Sequence, residues 1–127
     1  MSQELTITNQ DTIELKRAAI EANIQHAEKV VERGKALERL MNNDDFKNVI
    51  LDGYIGDLAE SLFLELTKPL QSNSIPYESC KEGLEAIRHI QSYIGSRDGS
   101  IPGDIYYNKI KATELIEDEL DRLKELG

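Results

Sequence analysis

His26 and His89 are the only histidines in this 127-residue chain. Together with Cys80 they would have to anchor a transition-metal site or a nucleophilic mechanism. Neither histidine sits in a His-Glu-x-x-His frame, and Glu85 precedes His89 by four residues, not by the three of di-iron bundles. Both therefore read as structural. Ser61, Ser79 and the remaining serines lack the Gly-x-Ser-x-Gly context of a nucleophile elbow. The segment GSRDGSIPGD, residues 95–104, gathers Gly95, Gly99 and Gly103 but has no Gly-Lys-Ser/Thr and no preceding strand pattern, so it is not a phosphate loop. Asp98 and Asp104 in the same segment lack the alternating oxygen ligands and closing glutamate of a calcium loop. A turn is expected there. These residues predict a non-enzymatic chain with no cofactor, no metal site and no catalytic residue.

Charge narrows the partners. The formal net charge is −9, from 24 acidic against 15 basic residues, and a protein that neutralises phosphates needs clustered Lys and Arg. Direct nucleic-acid binding is not expected from the overall field, although a local basic patch stays open. The acids are clustered: residues 44–66 hold Asp44, Asp45, Asp52, Asp57, Glu60 and Glu65 against Lys47 alone. ELIEDELD, residues 114–121, holds Glu114, Glu117, Asp118, Glu119 and Asp121 with no base. The favoured reading is a solvated face, with Asp118 paired to Arg122 at i+4. The alternative is a decoy that mimics the charge of DNA or docks on a basic surface.

The single cysteine, Cys80, excludes an intramolecular disulfide and suits a reducing compartment, where it reads as a small buried apolar residue. MSQELTITNQ has neither a basic n-region nor an apolar h-region, and no apolar run approaches transmembrane length. A soluble, cytosolic protein without a membrane contact is expected.

The periodicity predicts an all-α fold: an elongated bundle of four to five helices in a single domain over residues 1–127, with 1–10 as an extended or disordered arm. Only two Phe and five Tyr are present, so aliphatic stripes must do the packing. A long helix begins near Asp11, whose spacing to Glu14 suits a capping box, and runs to about Met41. Ile13, Ile20, Ile24, Ala27, Val31 and Gly34 alternate in spacings of three and four, with Arg17 interrupting. From Leu37 to Met41 the stripe leaves that register. Such a helix would be about 45 Å long against roughly 36 Å for a globule of this size, so it either breaks at Gly34 or presents its stripe to a partner.

Asn42, Asn43, Asp44 and Asp45 form a turn that caps the next helix. At about 100° per residue, Phe46, Val49, Ile50 and Gly53 share one side, whereas Ile55, Leu58, Ala59, Leu62, Phe63 and Leu66 gather nearly half a turn away. Two readings follow: a break at Gly53, or one continuous helix serving two neighbours. Pro69 ends this element, and LQSNSIPYES connects it to a helix from about Tyr77 to Ile94, with Leu84, Ile87, Ile90 and Ile94 inward and Gly95 as its stop. The last helix starts after Asp104 and carries Tyr106, Ile110, Thr113, Ile116, Leu120 and Leu123 as its apolar line, with Ala112 and Leu115 beside them.

The residues expected to form a protein interface are Phe46, Val49, Ile50 and Tyr54, together with the seam residues Ile20, Ile24 and Val31. For the first four a role in the core is the alternative.

The run ALERLMNNDDFKNVILDGYIGDLAESLFLELTKP, residues 36–69, resembles a pattern in a family of small acidic helical proteins of tailed bacteriophages. The matching positions are Leu37 to Leu40, Asn42 to Asp45, Phe46 to Ile50, Gly53, Tyr54 and Pro69. LEAIRHIQSYI, residues 84–94, is similar to the family's next helix, and the acidic C-terminal helix also corresponds. The N-terminal arm and GSRDGSIPGD lie outside the resemblance, and Gly56 departs from the pattern. What the resemblance implies is a virion or host-cytoplasm setting, in which the chain self-associates as a homo-oligomer or docks on capsid, portal or internal virion proteins. The alternative there is an acidic phage regulator that inhibits a host nucleic-acid enzyme.

Overall fold

Thirty-three consecutive residues, Asn9–Met41, form one unbroken helix, α1. The structure is a computed structural model that describes residues 9–69 and 76–127. Of the arm expected at 1–10, residues 1–8 lie outside the described residues, while Asn9 and Gln10 already belong to α1. The elements that follow are α2 (Asp44–Phe46), a π-helix π1 (Lys47–Leu58), α3 (Ala59–Leu66), α4 (Tyr77–Ile94) and α5 (Asp104–Leu126). The all-α expectation holds, and among the described residues there is no strand. No helix among them is long and apolar enough to cross a membrane.

Gly34 does not break α1. It is buried within the helix, and the predicted seam shows in the burial pattern: Ile20, Ala27 and Gly34 are buried, and Ile13, Arg17, Ile24 and Val31 are half-buried. A glycine inside a helix costs about 1 kcal/mol relative to alanine at the same position.

Gly53 does not break its helix either, which corrects the expected helix ends there. Asn43 caps the start as predicted, its Oδ1 accepting from the Phe46 amide at 2.9 Å. The chain then runs through α2, π1 and α3 without interruption, but over twelve residues it winds as a π-helix. A π-helix closes i→i+5 hydrogen bonds and so advances by roughly 80° per residue, against about 100° in an α-helix. Residues four and five apart then fall on either side of one line, each about 40° from it. Phe46, Ile50, Leu51 and Ile55 thus all belong to one cluster. The half-turn disagreement between the two groups of apolar residues disappears, and both halves serve one core.

The contacts cluster in two units, residues 33–107 and residues 1–32 with 108–127. In the first, Leu51, Ile55, Leu62, Cys80 and Ile87 form the buried core, with Met41, Phe46, Ile50, Tyr54, Ala59, Leu66, Leu84, Ile90 and Ile94 packed around it. The π-helix supplies two of the five. Cys80 is fully buried, as the small apolar residue it was read to be. At Gly83 a Cβ would lie 2.7 Å from Leu62 Cδ1, so the missing side chain lets Leu62 of α3 pack close against α4.

In the second unit, the first part of α1 and the last part of α5 run antiparallel. Asn23 meets Glu119, and Lys16 and Ala19 share a groove with Glu125 and Leu126. Ile20, Ala27, Ala112 and Glu119 are its buried positions. The buried line on α5 is only in part the one expected: Ile116, Leu123 and the adjacent Ala112 belong to it. Ile105, Lys109, Ala112, Ile116, Glu119, Leu123 and Leu126 are buried or half-buried, in spacings of four and three. Tyr106, Ile110, Thr113 and Leu120 are exposed.

Candidate interaction surfaces

The loop after α4 is built as a closed turn. Gly95 ends the helix at φ 100°, a conformation that an L side chain strains to adopt. Its amide donates to the Gln91 carbonyl at 2.8 Å, and the Ser96 amide donates to the Ile101 carbonyl at 2.8 Å. Asp98 Oδ1 accepts from Ser100 Oγ at 2.7 Å, from the Ser100 amide at 3.0 Å and from Ser96 Oγ at 2.9 Å. Hydrogen bonds to the charged form, those from Ser100 first, hold the Asp98 carboxyl down at about 2. Gly103 closes the loop against the backbone of Tyr93, Ile94 and Gly95. The three glycines thus make a turn, as the residues implied. Among the described residues, no group of three His, Cys, Asp or Glu side chains is placed to hold a metal ion.

Arg97 extends from this loop to the π-helix. Its guanidinium lies against Gly56, where a Cβ would collide with Nη1, and Nη1 is 3.8 Å from Asp52 Oδ1. Both charged side chains are more than half exposed, so the pair is screened and worth little by itself. Its role is positional: Gly56 is the residue that admits Arg97.

The four residues expected at an interface separate. Phe46, Ile50 and Tyr54 are half-buried against the core of their unit, whereas Val49 is 63% exposed. Ile20 is buried and Ile24 and Val31 are half-buried. Leu51 went unassigned in the sequence, although at about 100° per residue it falls on the side of Ile55, Leu58 and Leu62. Its spacing to Phe46 and Ile55, five and four residues, was the available signal.

The acidic line also separates. Glu114, Glu117, Asp118 and Asp121 are exposed, but Glu119 is 5% exposed and sits on the buried line of α5. It accepts from Asn23 Nδ2 at 3.2 Å through Oε2 and pairs through Oε1 with Arg122 Nη1 at 3.1 Å. Arg122 thus pairs at i+3 with Glu119, where the spacing had suggested Asp118. Beside this pair runs a groove of about 580 Å³ lined by Lys16, Ala19, Ile20, Asn23, Glu119, Arg122, Glu125 and Leu126. Among its charges, Glu119 and Arg122 pair. A second buried acid, Glu65, holds Lys68 Nζ at 3.0 Å.

What stays exposed is apolar as well as acidic. On α5 these are Ile110, Leu115 and Leu120; on α3, Phe63 and Leu64. The three on α5 are five residues apart and so step about 140° around the helix, and single exposed apolar side chains are ordinary. Compared with family models, curated proteins and solved structures, the chain finds no match in any of the three.

Proposed function

We propose that this chain is a non-enzymatic helical adaptor of a tailed-phage particle or of its assembly, which self-associates or docks on capsid, portal or internal virion proteins. One observation carries the reading. The pair formed by α1 and α5 buries one line of each helix and leaves Ile110, Leu115 and Leu120 of α5 in solvent. Two helices cannot enclose each other, and an amphipathic face gains about 25 cal/mol for each Å² of apolar surface that a partner removes from water. The phage setting rests on the resemblance of residues 36–69 and 84–94 alone.

The test is mass spectrometry of purified virions from cells infected by the phage that encodes the chain. A defined copy number supports the adaptor. Absence from virions and from assembly intermediates, with a strictly monomeric chain in solution, withdraws it.

The second reading is an acidic regulator that binds a host nucleic-acid enzyme. Glu114, Asp118, Asp121 and Glu125 favour it, being exposed and in one line on α5. Salt separates the two readings, since a decoy complex weakens steeply with ionic strength and an apolar contact does not.

A further inference from the structure

We propose that Asp98–Gly99 is a site of covalent self-modification, the point at which the folded chain forms isoaspartate, and that the turn around it sets the rate. The proposal is independent of the adaptor reading. The chain has two Asp-Gly pairs, Asp52–Gly53 and Asp98–Gly99. In such a pair the glycine has no Cβ to shield its amide, so the nitrogen can attack Cγ of the aspartyl side chain. The N–Cγ bond forms and a Cγ–O bond breaks, and the amide hydrogen leaves with the carboxyl hydroxyl as water. Water then opens the cyclic imide. Cleavage of the new N–Cγ bond restores aspartate. Cleavage of the original bond, between the aspartyl carbonyl carbon and the glycine nitrogen, leaves the chain running through Cβ and Cγ with a free α-carboxylate. One water leaves and one returns, so no other reactant is required.

The two pairs stand in different surroundings. Asp52–Gly53 lies inside π1 between the buried Leu51 and Ile55, and turning its peptide plane toward Cγ means unwinding a helix that carries both core residues. Asp98–Gly99 lies in the loop after α4, where residues 97–100 are exposed. A Cβ at Gly99 would meet nothing within 4 Å, so the water that opens the ring has free access. What holds this pair is local. The Gly99 amide donates to the Ser96 carbonyl at 3.0 Å, a bond that fixes the peptide plane and engages the nucleophile's hydrogen. Asp98 Oδ1 accepts from the Ser100 hydroxyl, the Ser100 amide and the Ser96 hydroxyl, and these bonds turn the carboxylate toward the serines and keep it ionised. An ionised carboxylate repels the attacking nitrogen and lacks the hydroxyl that must leave, so the neutral acid is the reactive form. The same turn requires its glycine, because residue 99 sits at φ 78°. The loop therefore contains the reactive pair because the turn needs both members, and the turn's own hydrogen bonds protect it.

The full chain is incubated folded in mildly acidic buffer made with ¹⁸O-labelled water, and in the same buffer with guanidinium chloride. Peptides covering Asp52 and Asp98 from a lysine-specific digest are compared by electron-transfer mass spectrometry, which separates isoaspartate from aspartate, and uptake of ¹⁸O marks passage through the imide. In denaturant both pairs should convert at similar rates. In the folded chain isoaspartate should accumulate at 98 and not at 52, and more slowly than in denaturant. Ser100→Ala removes one bond to Oδ1 and should speed conversion at 98 by about tenfold, because the neutral carboxyl becomes more abundant as its acidity returns toward the ordinary 3.8. Ser96→Ala is an independent variant of the same turn, and the far-UV circular dichroism of both should stay that of wild type. Conversion at 52 as fast as at 98 in the folded chain overturns the proposal, since the helix would then give no more protection than the loop. Unchanged rates in both serine variants overturn the role of the turn. Absence of isoaspartate at 98 in the folded chain, over a time in which the denatured chain converts, overturns the site itself.

Discussion

Asn23 donates through Nδ2 to Glu119 Oε2 across 3.2 Å, joining positions 96 residues apart. In a line of aliphatic residues this polar contact selects orientation and register, because only one alignment of the two helices satisfies the buried carboxylate. Arg122, bonded to the other oxygen, neutralises its charge.

Glu119→Ala removes an acceptor whose partners can turn to water, so it should cost about 1–2 kcal/mol. Glu119→Leu should melt no lower than wild type, since an apolar residue replaces a buried charge on a packed line. The loss appears elsewhere: cross-peaks between residues near 23 and 119 should broaden or multiply as alternative registers become accessible. Thermal melts together with nuclear Overhauser spectra check both parts.

The winding of the π-helix gives a second test, because it decides which of two neighbouring aliphatic residues is core. Leu51→Ala should cost about 2–5 kcal/mol and Val49→Ala less than about 0.5, as read by urea denaturation. In an α-helix through the same residues Val49, not Leu51, would share the side of Phe46 and Ile50, so the core that holds those two would hold Val49 and turn Leu51 away. Comparable losses at both positions would therefore reject the π-helical register.

Two glycines are fixed by what touches them. At Gly83 the neighbour is the end of a leucine side chain, so Gly83→Ala should cost about 1–3 kcal/mol as Leu62 repacks. At Gly103 the neighbours are backbone atoms of Tyr93, Ile94 and Gly95, which cannot rotate away. Gly103→Ala should therefore destabilise more than Gly83→Ala. The ranking is read from midpoints in the same denaturant.

Asp98 links the loop to pH. Its folded-state carboxyl lies at about 2 against an ordinary 3.8, lowered first by Ser100 and then by Ser96. A depressed carboxylate contributes fully above its unfolded value, and that contribution is lost as pH falls through the folded one. The window is therefore about pH 4 down to pH 2. Asp98→Asn should flatten the fall in stability across this window. Nuclear magnetic resonance titration of the carboxyl carbon should place its midpoint well below that of an exposed aspartate.

Composition and periodicity were enough for the helices themselves. The Asn43 cap, Gly95 as the stop of α4, the seam from Ile13 to Gly34, and Cys80 as an inert buried thiol are local or single-helix properties, set by backbone chemistry and by the spacing of apolar residues. Three decisions needed tertiary packing. The π winding of Lys47–Leu58 contradicts the 3.6-residue period that any α-helical projection assumes, and it is held because both ends of the run pack on the same α4 core. The buried line of α5 contains Lys109 and Glu119, which hydrophobicity places outside; only the partner atoms of Asn23 and Arg122 make a carboxylate acceptable there. Whether Phe46, Ile50 and Tyr54 or Ile110 and Leu120 face solvent depends on which neighbouring helix covers them, and that is a property of the assembled chain, not of any one of its segments.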